Sequence, residues 1–414
     1  MNPRLIPILA MAIMARATVA QDAAWSDLPP LPVAISNNAV ASVVRDDGTA
    51  TIYSIGGITS PHRPPNITPL SYALDLPGGA WRRIADEPLL NGRAKIGASA
   101  VAIDGRVYLV GGYSVAGLSE TTEKRLFEYD PEADAWVGRA DVPVEVDDTV
   151  VGVYQDRYLY LVSGWHGPVR NNVPNVQVYD TRSDSWTQAT PIPDPLPGLF
   201  GHAGAIVGDR IVYMDGVRTV GGFRISARAF VGRIDPTGSG DVDAIDWREI
   251  APHPGLPTYR AAASQSPTPN GRMLLVGGTD NPYNFSGIGY DRRPSTPLDQ
   301  VISLDPITGV WNTLDVAGKP LPTMDHRGLV PVPGGWAIAG GMIAPRTATN
   351  RVRQLTLLPC RADLDGDGHL GIGDFLGFQD AFASGNPAAD INGDAIITVA
   401  DFFAFVVLFA GGCP

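Results

Sequence analysis

The segment VYLVGG at residues 107–112 decides the fold, because its apolar run closed by two small residues returns along the whole chain. The other copies are IYSIGG ending at Gly57, LYLVSG at Gly164, IVYMDG at Gly216, MLLVGG at Gly278 and WAIAGG at Gly341. Successive closing glycines are 55, 52, 52, 62 and 63 residues apart. Self-similarity at such a period indicates an array of like structural units.

Each apolar run is followed by an extended segment, a turn that contains Asp, and a tryptophan. The five phased tryptophans are Trp81, Trp136, Trp186, Trp247 and Trp311. This pattern predicts four short antiparallel strands per unit. No tryptophan follows the sixth unit, but Trp25 precedes the first. We therefore expect an N-terminal strand to complete the last unit and close a ring, which leaves no open sheet edge.

The repeat resembles the kelch motif, whose period is about 50 residues. Six copies cover residues 25–358 of the 414-residue chain. The resemblance implies an all-β, six-bladed propeller over residues 21–358, with the tryptophans packed between blades. The 47 glycines and 37 prolines fit such a fold, because many turns need residues with positive or preset φ.

The net charge of the chain limits the partners that it can bind, and its first twenty residues indicate its compartment. A net charge of −12 argues against a nucleic-acid partner or an anionic membrane surface. Residues 1–20 predict a signal peptide, with Arg4, an apolar run from Leu5 to Met14, and small residues ending at Ala20. That run is too short to span a bilayer, and no span is expected in the mature chain. The predicted location is exported: periplasmic, cell-surface or extracellular.

Residues 359–414 carry two acidic loops that repeat after 27 residues. Loop positions 1, 3, 5 and 12 hold Asp363, Asp365, Asp367 and Asp374 in the first copy, and Asp390, Asn392, Asp394 and Asp401 in the second. Oxygen ligands at alternating positions let one loop wrap a hard cation, with backbone carbonyls of His369 and Ile396 at position 7. Up to two calcium ions are therefore expected here.

The paired loops resemble those of dockerins, because each is followed by a helix and ends on Asp. The resemblance implies a cohesin-like or envelope docking partner for this EF-hand-type unit. Ala395 replaces the glycine of position 6, which predicts weaker calcium binding in the second loop. The only two cysteines, Cys360 and Cys413, bracket the unit, and we expect them to form a disulfide.

Candidate ligand residues lie where the loops entering each innermost strand would converge on one mouth of the channel. They are Arg93, Lys95, Asp147, Asp148, His202, Tyr259, Arg260, Asp325, His326 and Arg327, with Asn37 and Asn38 slightly further back. Such a ring suits a polar ligand, and its arginines could clamp a carboxylate. A long insertion after Gly278 adds Tyr283, Asn284, Phe285, Tyr290 and Arg292.

Two functions remain open at this point. The first is a non-catalytic binding module for a glycan or a protein. The alternative is a carbohydrate enzyme, because some exported kelch propellers resemble this one and act as sialic acid epimerases; Asp147, Asp148 and His326 would then be the acid-base residues. Adjacent Asp147 and Asp148 are expected on opposite faces of a strand. A copper radical oxidase of the galactose oxidase type needs a cysteine in the propeller, so no copper is expected.

Overall fold

The computed structural model describes residues 22–117, 119–193, 198–268, 271–318, 321–366 and 370–411. The predicted signal peptide lies outside these described residues. The described chain divides into two compact units, one that ends at Leu358 and one that begins at Pro359.

Six antiparallel sheets, the blades, make up the first unit. Blade 1 contains Ala39–Val44, Ala50–Ile55, Ser71–Leu76 and Arg82–Ile84. Blade 2 contains Ile96–Ile103, Arg106–Ala116, Ser119–Thr122, Phe127–Asp130 and Ala135–Gly138. Blade 3 contains Val150–Tyr154, Tyr158–Val162, Val176–Asp180 and Ser185–Ala189.

The remaining blades follow the same order. Blade 4 contains Ala203–Val207, Arg210–Met214, Ala229–Ile234 and Ile245–Ile250. Blade 5 contains Ala262–Ala263, Met273–Val276, Val301–Asp305 and Val310–Thr313. Blade 6 contains Val330–Val332, Gly335–Ala339 and Val352–Leu357, joined by Ala23–Leu28 and Val316–Ala317. The predicted six-bladed, all-β propeller is confirmed.

Blade 6 closes the ring with the N-terminal strand, as predicted. Ala23–Leu28 pairs antiparallel to Val352–Leu357, with Trp25 opposite Leu355. Val316–Ala317, which follows blade 5, pairs in parallel with the start of the same N-terminal strand. The first described strand therefore pairs with segments that lie between 293 and 334 residues later in the chain.

Short hairpins follow the closing glycines and build the mouth of the propeller. They pair Trp165–His166 with Asn171–Asn172, Val217–Arg218 with Arg224–Ile225, and Met342–Ala344 with Thr347–Ala348. After Gly57, Ile58–Thr59 pairs instead with Ile35–Ser36, which precedes blade 1. The 3₁₀ turns Pro64–Asn66 and Gly167–Val169 lie in two of these loops. The glycines are needed for close approach: at Gly112, φ is +84° and a Cβ would lie 2.8 Å from the Ala98 nitrogen.

The phased tryptophans join neighbouring blades, as predicted. Each indole Nε1–H donates to a backbone carbonyl that follows the outermost strand of the preceding blade. The pairs are Trp81 to Pro29, Trp136 to Ala85, Trp186 to Ala140, Trp247 to Thr190 and Trp311 to Ala251, at 2.7 to 3.2 Å. Aliphatic side chains fill the space beneath, such as Val150, Ile206 and Ile211 between blades 3 and 4.

The second unit contains two helices, α1 at Ile372–Ser384 and α2 at Val399–Gly411, and a 3₁₀ turn at Pro387–Ala389. Its small core centres on Phe378 and Phe405, whose rings stack with centroids 4.1 Å apart. Each helix follows one acidic loop, which agrees with the repeat. Neither helix, nor any other in the described part of the chain, is long and apolar enough to cross a membrane.

The hydrogen bonds of the phased tryptophans should contribute to the free energy of unfolding. Trp186→Phe keeps an aromatic ring against Tyr179 but removes the hydrogen bond to the Ala140 carbonyl. We expect the free energy of unfolding to fall by about 1 kcal/mol, measured by urea denaturation. Tyr158→Phe, which removes the hydroxyl of a half-buried ring and keeps the ring in the same core cluster, is the control. An unchanged denaturation midpoint for Trp186→Phe would contradict this role.

Candidate functional site

The residue that enters the innermost strand of each blade has a left-handed backbone conformation. The six residues and their φ angles are Asn37 (56°), Gly97 (75°), Asp148 (52°), Gly201 (58°), Arg260 (51°) and Asp325 (69°). Four of them are not glycine, although this region is unfavourable for side chains with a Cβ. Such backbone strain persists only where the surrounding contacts over-determine it.

Backbone hydrogen bonds connect these six residues from blade to blade. The bonds run from Asp148 N to Gly97 O at 3.2 Å, Gly201 N to Asp148 O at 2.8 Å, Arg260 N to Gly201 O at 2.8 Å, and Asn37 N to Asp325 O at 3.3 Å. Gly97 N instead donates to the Asn37 side-chain oxygen at 2.7 Å. We call this set of six residues the mouth ring.

A buried ion-pair network fills the centre of the mouth ring. Arg260 donates from Nη2 to Asp148 Oδ2 at 2.6 Å and from Nη1 to Asp325 Oδ1 at 3.0 Å. Arg327 makes an ion pair with Asp148 Oδ1 and donates to Asn37 Oδ1 at 3.1 Å. All four charged side chains are at most 4% exposed. Two carboxylates and two guanidiniums make this network neutral.

The network fixes the charge state of Asp148. Burial alone would raise the pKa of its carboxyl, but the Arg260 and Arg327 guanidiniums outweigh burial and hold the pKa below its ordinary value. Arg260 also contacts two aromatic rings, since its guanidinium lies 4.8 Å from the Tyr259 ring centroid and 5.3 Å from that of Tyr283.

Two expectations from the sequence are wrong here. Arg260 and Arg327 are not free to clamp a ligand carboxylate, because their guanidiniums are buried against Asp148 and Asp325. Asp147 and Asp148 do not point to opposite faces, because both line one cleft. Successive side chains point to opposite faces only where the backbone is extended. Asp148 has a left-handed φ, so this rule does not hold for Asp147 and Asp148.

The remaining predicted mouth residues are dispersed. Arg93 is exposed in a turn that Leu90 and Arg93 close with mutual backbone hydrogen bonds. Lys95 is buried and donates from Nζ to the Pro88 carbonyl. Its backbone N–H donates to Glu87, and burial raises the pKa of that carboxyl to about 7. Neither basic side chain lines the cleft described below.

The two predicted histidines line a cavity in the channel rather than the cleft. Burial lowers the pKa of both imidazoles to about 4, so both are neutral at pH 7. His202 Nε2 lies 2.9 Å from the Val162 carbonyl oxygen, and His326 Nε2 lies 2.7 Å from Thr323 Oγ1. Asn38 is likewise buried, where it donates to Ser54.

An open cleft of about 140 Å³ lies beside the mouth ring, between loops of blades 2 to 5. Its lining residues are Tyr113, Glu120, Asp147, Asp148, Trp165, Phe200, Phe223, Asn284 and Tyr290. Phe223 and Tyr290 stack with centroids 4.2 Å apart and are 40% and 39% exposed. We call this pocket the aromatic cleft.

The polar wall of the aromatic cleft is held by a short chain of hydrogen bonds. Tyr113 donates to Asn284 Oδ1, and Asn284 Nδ2 donates to Glu120 Oε1, both at 2.7 Å. Asp147 is 4% exposed and accepts a long 3.3 Å hydrogen bond from Thr122. Burial, followed by repulsion from Asp148, raises the pKa of Asp147 well above its ordinary value.

Sequence reasoning found only part of this cleft. Asp147, Asp148, Asn284 and Tyr290 were expected; Tyr113, Glu120, Trp165, Phe200 and Phe223 were missed. Phe223 lies in the long insertion after Gly216, whose length was the signal available. Tyr283, Tyr259 and Arg292 do not line it: the Tyr259 hydroxyl donates to the Tyr283 carbonyl in the core, and Arg292 is exposed.

The first acidic loop of the second unit brings three carboxylates close together. Carboxylate oxygens of Asp363, Asp365 and Asp374 lie within 4.8 Å of one another. Asp374 also accepts N–H hydrogen bonds from Leu364 and Gly371, so the position-12 carboxylate closes its loop. These oxygen donors fit a hard cation such as calcium. Asp367 and His369 lie outside the described residues.

The second loop is closed in the same way. Asp401 accepts N–H hydrogen bonds from Asn392 and Thr398, and Asp390 accepts one from Ala395. The φ of Ala395 is +66°, the conformation for which position 6 favours glycine. Asp394 Oδ1 accepts from the N–H of Ile396. Cys360 is disulfide-bonded, while Cys413 lies outside the described residues.

The ion-pair network predicts a structural role for Arg260. Arg260→Gln leaves two buried carboxylates without their shared cation, so we expect the free energy of unfolding to fall by about 3–5 kcal/mol. Arg93→Gln, at an exposed position of the same predicted set, should change it by no more than about 0.5 kcal/mol. Urea denaturation of both variants is the measurement. Equal stabilities would refute the assignment.

Comparison with known proteins agrees with this architecture. Residues 95–142, within blade 2, match the Kelch motif. The chain is 29% identical over 192 residues to Kelch-like protein terF of Aspergillus terreus, over 45% of this chain and 39% of that protein. It is also 29% identical over 113 residues to Kelch-like protein 15 of Gallus gallus, over 27% of this chain and 22% of that protein. The chain thus spans less than half the length of these relatives.

A solved structure extends the similarity to the whole propeller. The structure of YjhT superimposes with a TM-score of 0.62 and covers 79% of this chain and 96% of that one, at 17% identity. At this identity the similarity is one of fold. The chain therefore carries the kelch repeat on a six-bladed β-propeller, as its six apolar runs and phased tryptophans predicted.

Proposed function

We propose that this protein is a binding module whose propeller holds a polar ligand, a glycan or a segment of a protein, in the aromatic cleft. The observation that carries the proposal is the composition of that cleft. It combines exposed ring faces of Phe223 and Tyr290 with hydrogen-bonding groups of Asn284 and Glu120. Apolar walls with a few fixed polar groups are typical of ligand pockets.

The architecture of the mouth supports binding at the cleft rather than in the channel. Arg260 and Arg327 together neutralise Asp148 and Asp325 at the mouth ring. A ligand would have to displace that neutral network to enter the channel centre. The cleft lies beside it and is open, so binding there costs no buried ion pair.

The residue arrangement does not favour the epimerase. Asp148 is held by two arginines, and His326 lines the channel cavity instead of the cleft. Only Asp147, of the three acid-base residues considered, remains in the cleft without an ion pair among the described residues. The predicted acid and base are therefore not assembled in the cleft as proton transfer at a sugar carbon would require.

For the second unit we propose a dockerin-like role in which calcium orders the two acidic loops and the unit attaches the propeller to a cohesin-like or envelope partner. The clustering of Asp363, Asp365 and Asp374 supports this proposal. Export is part of it, because a disulfide at Cys360 suits an oxidising compartment. The segment ending at Ala20 would then be the signal peptide.

A ligand screen tests the proposed cleft. Trp165 lines it, so ligand binding should change tryptophan fluorescence and raise the thermal unfolding temperature. We expect Tyr290→Ala, which removes an exposed stacking face, to weaken binding of any ligand found on a glycan or peptide array by at least about tenfold. Arg93→Gln is the control outside the cleft. Undiminished affinity in Tyr290→Ala would place the ligand elsewhere.

Calcium titration by calorimetry tests the second unit. We expect up to two sites, and Asp374→Asn should remove one of them, because it takes a charge from the position that closes the loop. Asp380→Asn, an exposed carboxylate on α1, should leave both. Ala395→Gly should strengthen the second site, because glycine adopts a φ of +66° without strain. Absence of any calcium-dependent heat would defeat the proposal.

A further inference from the structure

The charge balance around the aromatic cleft specifies what it can bind. Three of its nine lining residues are carboxylates, and none of the nine is Lys, Arg or His. Asp148 is neutralised by Arg260 and Arg327, which leaves the carboxyl groups of Asp147 and Glu120 facing the cleft without an ion pair among the described residues. An anionic ligand would meet like charge there, and a cationic one would meet opposite charge.

The aromatic side chains add a second attraction for a cation. Trp165, Phe200 and Phe223 contact one another with centroids 5.8 to 6.2 Å apart, and Phe223 stacks on Tyr290. Faces of such rings carry partial negative charge and bind ammonium groups, most strongly at tryptophan. The same residue types already hold a cation next to the cleft, where Arg260 lies between carboxylates and the rings of Tyr259 and Tyr283.

We propose that the aromatic cleft selects a ligand that carries a protonated amine, with the ammonium group between the Glu120 and Asp147 carboxylates and the ring of Trp165. This inference rests on the proposed function, namely that the cleft binds a ligand, and it names the chemical class. The remainder of the ligand, such as the ring of an amino sugar, lies against the stacked faces of Phe223 and Tyr290.

The electrostatics of Asp147 agree with this assignment. Burial raises the pKa of its carboxyl, and repulsion from Asp148 and Glu120 raises it further, while Arg327 opposes them. An ammonium group would offset both the repulsion and the lost hydration. The hydrogen bonds from Tyr113 through Asn284 to Glu120 orient the second carboxylate before any ligand arrives, which reduces the entropy lost on binding.

The test compares matched probes of different charge on the full chain, followed by tryptophan fluorescence and calorimetry. D-glucosamine, D-glucose and D-glucuronate differ in charge on one ring, and butylammonium and butanol repeat the comparison without a sugar. We expect glucosamine to bind at least about tenfold more tightly than glucose, glucuronate to bind more weakly than glucose, and added salt to reduce the preference.

Two variants locate the charge effect. Glu120 is exposed, so Glu120→Gln should fold normally and reduce the preference for glucosamine over glucose by about threefold or more. Glu132→Gln, an exposed glutamate in the outer turn of the same blade, should leave the preference intact. Asp147→Asn should reduce the preference as well, with folding checked by circular dichroism.

The outcomes separate this inference from the function on which it rests. Binding of the sugars without a charge preference, or a preference that Glu120→Gln retains, overturns the amine assignment and leaves the binding module. If butylammonium binds more tightly than butanol and no sugar binds, the result supports an ammonium-binding site and rules out an amino sugar as the ligand. If no probe binds, the amine assignment is refuted, whereas the cleft as a ligand site is decided by the glycan and peptide arrays and the Tyr290→Ala variant.

Discussion

The mouth of this propeller depends on one buried cation, the guanidinium of Arg260 between Asp148 and Asp325. These three residues come from blades 5, 3 and 6, and each has a left-handed backbone conformation. Blades of a propeller contact one another through apolar side chains, which resist separation but do not set register strongly. A buried ion pair has strict geometry, because a misplaced charge stays unsatisfied. The network therefore fixes the blades at the mouth.

The same network defines where a ligand can bind. Because the central charges satisfy one another, the channel mouth is closed by neutral, buried groups. The loops after the closing glycines, which are free of that constraint, rise around it and form the aromatic cleft. Two residues that are adjacent in the chain thus have different roles. Asp148 belongs to the ion-pair network, and the carboxyl group of Asp147 faces the cleft.

Much of this fold was predictable because its determinants are local and repeated. Each closing glycine permits a close approach that no other residue allows, and each tryptophan marks an outermost strand, so six copies in phase specify six blades. The lone Trp25 before the first repeat was enough to predict ring closure. The candidate site was less predictable. The burial of Arg260 and Arg327 could not be predicted, because a partner such as Asp325 or Asp148 is 65 residues or more from Arg260 along the chain.

The sequence by itself determined the number of blades, the position of the closing strand and the two acidic loops, because periodicity, turn residues and ligand spacing are properties of neighbours in the chain. Only the tertiary structure decided which polar residues neutralise one another and which remain to face a ligand. Which polar residues are neutralised depends on contacts between different blades and on the φ angles of the six mouth-ring residues. No single repeat contains that information, and Glu120, Trp165 and Phe223 become a site only when blades 2, 3 and 4 are adjacent.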